Sequence, residues 1–172
     1  MKLIATLIIA CLAVTLSKTD KNAATSNDCS AQLIVEKDRS FKSADEEGAQ
    51  FILVLTNSSS DTKTFNLSSK QLTEPCHNNK SQYNRSTGSS NSVLDVSIQN
   101  NSLNRNNANS SPQLDITLNS GESYKFIVNV KVPKGTPFNT WCCIEVEAKS
   151  SDCKSLSETK TLSVFVVDPS EE

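Results

Sequence analysis

The chain is 172 residues long, carries a formal net charge of −2 and contains six cysteines but only four glycines, one histidine and one methionine. So small a charge leaves no basic stripe for nucleic acid or anionic lipid. One histidine and no CxxC pair leave the soft-ligand sets for zinc and copper unfilled, so neither a metal nor another cofactor is expected.

Lys2 precedes an apolar run from Leu3 to Val14, and the small residues Thr15 and Ser17 lead into a polar stretch. That order is the order of a secretory signal peptide, assigned to residues 1–17. The run is twelve residues long, and a bilayer needs about 20, so no transmembrane segment is expected. The protein should therefore be exported: secreted, periplasmic or at the cell surface. Ile8-Ile9-Ala10-Cys11 resembles a bacterial lipobox, which makes Cys11 a candidate lipidation site and a lipid anchor a candidate tether. Against it, Leu12-Ala13-Val14 continues the apolar run past the cysteine. Residues 18–28 are polar and aperiodic and are expected to be a flexible leader.

Period-two alternation begins at Cys29 and recurs to Val167. Strands are expected at 29–36, 49–56, 62–67, 93–98, 114–118, 124–132, 141–149 and 159–167. The run Ala49–Thr56 is nearly all apolar and suits a central strand covered on both faces or close to it. Residues 39–48 are charged and loop-like, 69–92 irregular, and 99–112 polar and low in complexity. In Tyr124, Phe126, Val128, Val130 and Val132 the alternation is clearest, and Pro133 stops it because proline cannot donate to a ladder. No stretch after residue 17 carries the 3.6-residue period. About seven to eight short strands with polar turns predict an all-β antiparallel sandwich over residues 29–168, with a tail at 169–172.

Residues 118–150 carry a further signal: Leu118, Gly121, Glu122 and Ser123, then Val128, Val130 and Val132, then Pro133, Gly135 and Thr136, then Ile144, Val146, Ala148 and Ser150. This order resembles the bacterial immunoglobulin-like domains of the NPCBM-associated and cell-adhesion-related type. Leu53 to Asn57 and Thr64 to Ser68 resemble the hairpin of the same family. Asn119-Ser120 replaces the usual proline before Gly121, and Asn139 to Cys143 carries one extra residue, which suggests a β-bulge. The resemblance implies an immunoglobulin-like fold and a non-enzymatic role in adhesion, binding or structural support, with a protein or carbohydrate partner. It does not single out a ligand.

Five cysteines lie beyond the signal segment: Cys29, Cys76, Cys142, Cys143 and Cys153. Export permits oxidation, and an odd number leaves one over. One chain reversal per strand places Cys29 at the same end as Cys142 and Cys143, with Cys76 and Cys153 at the other. The expected bridges are therefore Cys29–Cys142 or Cys29–Cys143, and Cys76–Cys153. Alternation with Ile144 and Val146 puts Cys142 on the core side and Cys143 outside with Glu145 and Glu147.

Cys142, Cys143 and His77 would serve a small secreted thiol or redox enzyme, the alternative function. Cys76-His77 could pair as nucleophile and base, but no orienting Asp or Asn is identifiable, so no catalytic residue is assigned. Trp141, at a loop-to-strand junction, is a candidate ligand contact. The carboxylates Asp45-Glu46-Glu47, Asp95, Asp115 and Asp152 lack the spacing of a calcium loop. Sequons at Asn57, Asn66, Asn79, Asn84, Asn100 and Asn109 would be glycosylation sites if the chain were a eukaryotic secreted glycoprotein.

Overall fold

In a computed structural model of the protein, residues 28–73, 92–100, 110–111 and 113–171 are described. The expected signal peptide, the expected leader up to residue 27, Cys11, Cys76, His77 and the sequons at Asn79, Asn84 and Asn109 lie outside them. Ten strands occur among the described residues: β1 Ala31–Val35, β2 Phe41–Ala44, β3 Ala49–Asn57, β4 Lys63–Leu72, β5 Asp95–Asn100, β6 Ser110–Ser111, β7 Gln113–Leu118, β8 Ser123–Lys131, β9 Thr140–Ser150 and β10 Ser157–Val166. Two five-stranded sheets result, in the orders β1-β3-β8-β5-β6 and β2-β10-β9-β4-β7. Every ladder is antiparallel except β2–β10, which is parallel. This is an immunoglobulin-like β-sandwich, and no helix among the described residues is long and apolar enough to cross a membrane.

The core is the inward set of each alternating strand. Leu33, Phe51, Leu53, Leu55, Ile98, Phe126 and Val128 of the first sheet meet Phe65, Leu67, Ile144, Val146, Leu162 and Val164 of the second. Each fully buried side chain of this size contributes about 2 kcal/mol through the apolar area it removes from water. Strand β3 alternates strictly, burying Ala49, Phe51, Leu53, Leu55 and Asn57 while Ile52, Val54 and Thr56 stay half-buried. Its outer face is thus partly covered, and its inner face fully.

All eight expected strands are present, and two short ones were not foreseen. β2 lies in the charged stretch after β1, and β6 in the low-complexity stretch after β5. β1 belongs to the first sheet and β2 to the second, so the chain changes sheets over Glu36–Ser40. It turns there through Lys37 (φ 58°) and Asp38 (φ 54°), both left-handed. After β2 the chain reverses at Gly48, also left-handed at φ 85°. A Cβ at this position would lie 2.1 Å from the Val130 carbonyl oxygen, so only glycine lets the turn pass the end of β8.

Candidate functional site

The two ends of the sandwich differ in what fills them. At the first end the β3–β4, β7–β8 and β9–β10 turns meet. The inward period of β3 carries one residue past its apolar run and buries Asn57 completely. Its Nδ2 donates to the carbonyls of Asp61 at 2.8 Å, Leu118 at 3.0 Å and Asn119 at 3.2 Å. Its Oδ1 accepts from the Ser59 N–H at 3.0 Å. One amide thereby satisfies backbone groups of two separate turns, which apolar surroundings would otherwise leave unpaired. Glu122 Oε2 accepts from the Asn119 N–H at 2.8 Å, and Ser120 Oγ donates to the Ser59 carbonyl at 2.7 Å.

Beside this hub, Cys29 is bridged to Cys153 of the β9–β10 turn, with Cα atoms 6.3 Å apart across 124 residues of sequence. This corrects both expected pairings, since neither Cys142 nor Cys143 bonds Cys29, and Cys76 does not bond Cys153. The reason is topological. β5 runs antiparallel to β8 and β7 antiparallel to β4, and these registers make β5 and β7 run the same way in different sheets. Counting one reversal per strand therefore slips by one after β5, where β6 intervenes. The β9–β10 turn lands at the end where β1 begins. Cys143 is disulfide-bonded as well. It faces away from the core, as alternation predicts, but it is buried rather than solvent-facing.

At the second end the interior is less apolar. Gln71, on the far half of β4, reaches across to the start of β5. Its Nε2 donates to the Leu94 carbonyl, and its Oε1 accepts from the Leu94 N–H at 3.3 Å. A side-chain amide here imitates a neighbouring strand and ties one sheet to the other. Cys142 Sγ lies 3.7 Å from the same Oε1. Cys142 is the free thiol among the described cysteines; it is buried, and desolvation pushes its pKa up to about 11. At neutral pH only about one molecule in ten thousand carries the thiolate. Ser69 Oγ is buried nearby without a hydrogen-bond partner.

Outside the second sheet at this end, Trp141 stands between Phe41 and Phe165, with ring centroids 5.3 Å and 5.0 Å away. It is 8% exposed. The candidate ligand contact is thus an aromatic packing residue whose faces are taken by its neighbours. Among the sequons, Asn57 holds the buried hub and has no room for a glycan, which corrects its candidacy. Asn66 Nδ2 donates to Asp115 Oδ1 at 2.7 Å across the β4–β7 ladder. Asn100 lies at the end of β5. The carboxylates Asp45, Asp95, Asp115 and Asp152 are dispersed, and among the described residues no group of three or more potential metal ligands converges.

The outward face of the first sheet carries a feature that patterning at each strand separately did not reveal. Register sets Ile34 opposite Val54 and Ile52 opposite Ile127, while Val54 and Ile52 are neighbours on one strand. The four form a continuous aliphatic row, half-buried apart from Ile34, which is 42% exposed. Asn129 extends the row on β8 between Gln50 and Ser97, and its buried Nδ2 has no hydrogen-bond partner. At the margins Lys125 Nζ lies 2.7 Å from Glu36 Oε1, and Asp95 stands opposite Lys131 in the ladder register. The lysine holds the Glu36 carboxyl below its ordinary range.

No family model and no curated protein matches the chain. Among solved structures it is similar to a FixG-related protein from Vibrio parahaemolyticus, at 11% identity and a TM-score of 0.42, over 82% of this chain and 97% of that one. It is similar to the E. coli chaperone DraB at 13% identity and a TM-score of 0.42, over 84% of this chain and 57% of that one. A PapD-like domain of human CEP192 is similar at 10% identity and a TM-score of 0.39, over 90% and 97%. The chain spans little more than half of DraB's length. These are likenesses of fold alone.

Proposed function

We propose that the chain is an exported, non-enzymatic immunoglobulin-like module, of the NPCBM-associated or cell-adhesion-related kind, that serves adhesion, binding or structural support at the cell surface or in the periplasm. Its partner is a protein, met by the outward face of the first sheet. The observation that carries this reading is the aliphatic row Ile34, Val54, Ile52 and Ile127. Contiguous apolar surface left open to water is characteristic of sites that another surface covers. Among the described residues the face carries no aromatic ring to stack on a sugar, and Lys125 at its margin is paired with Glu36, so an apolar protein surface suits it better than a carbohydrate ligand. The Cys29–Cys153 bridge fits an oxidising compartment outside the cytosol.

The thiol-enzyme alternative is disfavoured by chemistry. A nucleophilic cysteine needs a lowered pKa and access, whereas Cys142 is buried with its pKa raised. The glycoprotein alternative loses one of its six sites at Asn57.

The test is retention of the purified protein on envelope material of the cells that produce it. Val54→Lys combined with Ile127→Lys should abolish retention while leaving the unfolding midpoint within a few degrees, because both side chains point outward. Retention unchanged by the pair would overturn the assignment of this face. Intact mass of the exported product tests export separately: the signal segment, residues 1–17, should be gone and Cys29 and Cys153 oxidised.

A further inference from the structure

Among the described residues strand β1 is held from one side: it lies at the edge of its sheet, pairs with β3 alone and packs across onto β10. Leu33 is its one fully buried side chain; Ala31 and Val35 are half-buried, and Ile34 faces out. The link to β2 is short and carries two consecutive left-handed residues that are not glycine, Lys37 and Asp38. Side chains with a Cβ are disfavoured in that region because the Cβ crowds the following carbonyl. The turn has no side-chain cap at Val35, and one backbone bond, from the Arg39 N–H to the Glu36 carbonyl, closes it. Cys29, two residues before β1, is bridged to Cys153 of the body.

We propose that the slot between β3 and β10 is an interaction site for the β1 strand of a second copy of this chain, so that two copies exchange β1. The exchanged strand meets the same ladder and the same core as before, because strand and slot are identical. What changes is the link: Glu36–Ser40 straightens, and Lys37 and Asp38 leave the left-handed region. Relief of a short strained connection favours exchange, and the entropy of association opposes it. Exchange also carries Cys29 to the partner's Cys153. When both thiols are reduced, a disulfide oxidant such as oxidised glutathione accepts two electrons and two protons as the sulfurs join. The same cysteine pair then closes either within one chain or between two.

The experiment uses the full exported chain in two isotopic forms, light and heavy. They are mixed, reduced with dithiothreitol, and reoxidised with oxidised glutathione. The dimer is isolated on a non-reducing gel and the Cys29–Cys153 peptide is read by mass spectrometry. Exchange predicts light–heavy Cys29–Cys153 peptides in the dimer. Lys37→Gly with Asp38→Gly, which removes the penalty in the closed form, should lower the dimer yield at least about tenfold. Asp38→Pro, which bars the left-handed conformation, should raise it. Only light–light and heavy–heavy Cys29–Cys153 peptides would overturn the proposal. So would a dimer joined through other cysteines, or a yield that neither hinge variant changes.

Discussion

The two ends of the sandwich solve the same problem with different chemistry. Turns carry backbone groups that must find partners once they are buried. At the first end Asn57 supplies those partners from one position, and the Cys29–Cys153 bridge fastens the strands that start and finish there. At the second end, where Cys143 is disulfide-bonded as well, Gln71 pairs with Leu94 across the sheets, the free Cys142 thiol occupies core volume, Ser69 Oγ stays unpaired, and the chain changes sheets through a left-handed turn. One end is saturated and the other carries unsatisfied or strained groups. The saturated end should contribute most of the stability, and the other should be where the molecule opens first.

The largest effect should come from the bridge. Replacing Cys29 and Cys153 together by serine should lower the unfolding free energy by about 4 kcal/mol, the range expected for a long closed loop, read from urea unfolding. Asn57→Ala should follow at about 3 kcal/mol, because it strands several buried backbone groups at once. Gln71→Ala, which frees one residue's backbone, should cost about 1–2 kcal/mol. Equal losses for Asn57→Ala and Gln71→Ala would break the contrast between the ends.

The next effect is pH-dependent. The pKa of Cys142 is raised in the folded chain from an ordinary value of 9.0 to about 11. The folded state therefore keeps its proton longer than the unfolded state. The contribution is complete below pH 9 and is lost as pH rises through about 11, a decline on the order of 2 kcal/mol. Unfolding followed between these limits should show that slope, and Cys142→Ala should remove the part due to this thiol. The smallest effect is a gain: Asp38→Gly should raise stability by about 1 kcal/mol by relieving the left-handed turn. A loss on that substitution would mean the turn is not strained.

Much of the strand pattern was legible because burial on one face imposes a period of two. The rows through Phe51 to Leu55, Phe126 to Val130 and Ile144 to Ala148 carry that period openly. β2 was missed because its short sequence FKSA sits among charges, and its place comes from parallel pairing with β10 rather than from its own residues. The far half of β4 was missed because Ser69 and Gln71 are inward but polar. Asn57 falls just past the expected strand at 49–56, although extending the period of β3 by one step places it inward. A polar residue at an inward position is the signal that marks such hubs.

The chain's local chemistry determined the all-β class, the number of long strands and the side of β9 on which Cys142 and Cys143 stand. These depend on neighbours along the chain, and alternation reports them directly. The cysteine pairing, the aliphatic row on the outer face and the enclosure of Trp141 were decided by tertiary structure. Each depends on which strands become neighbours and in which direction they run, and a reversal as small as β6 is enough to move a turn from one end of the molecule to the other.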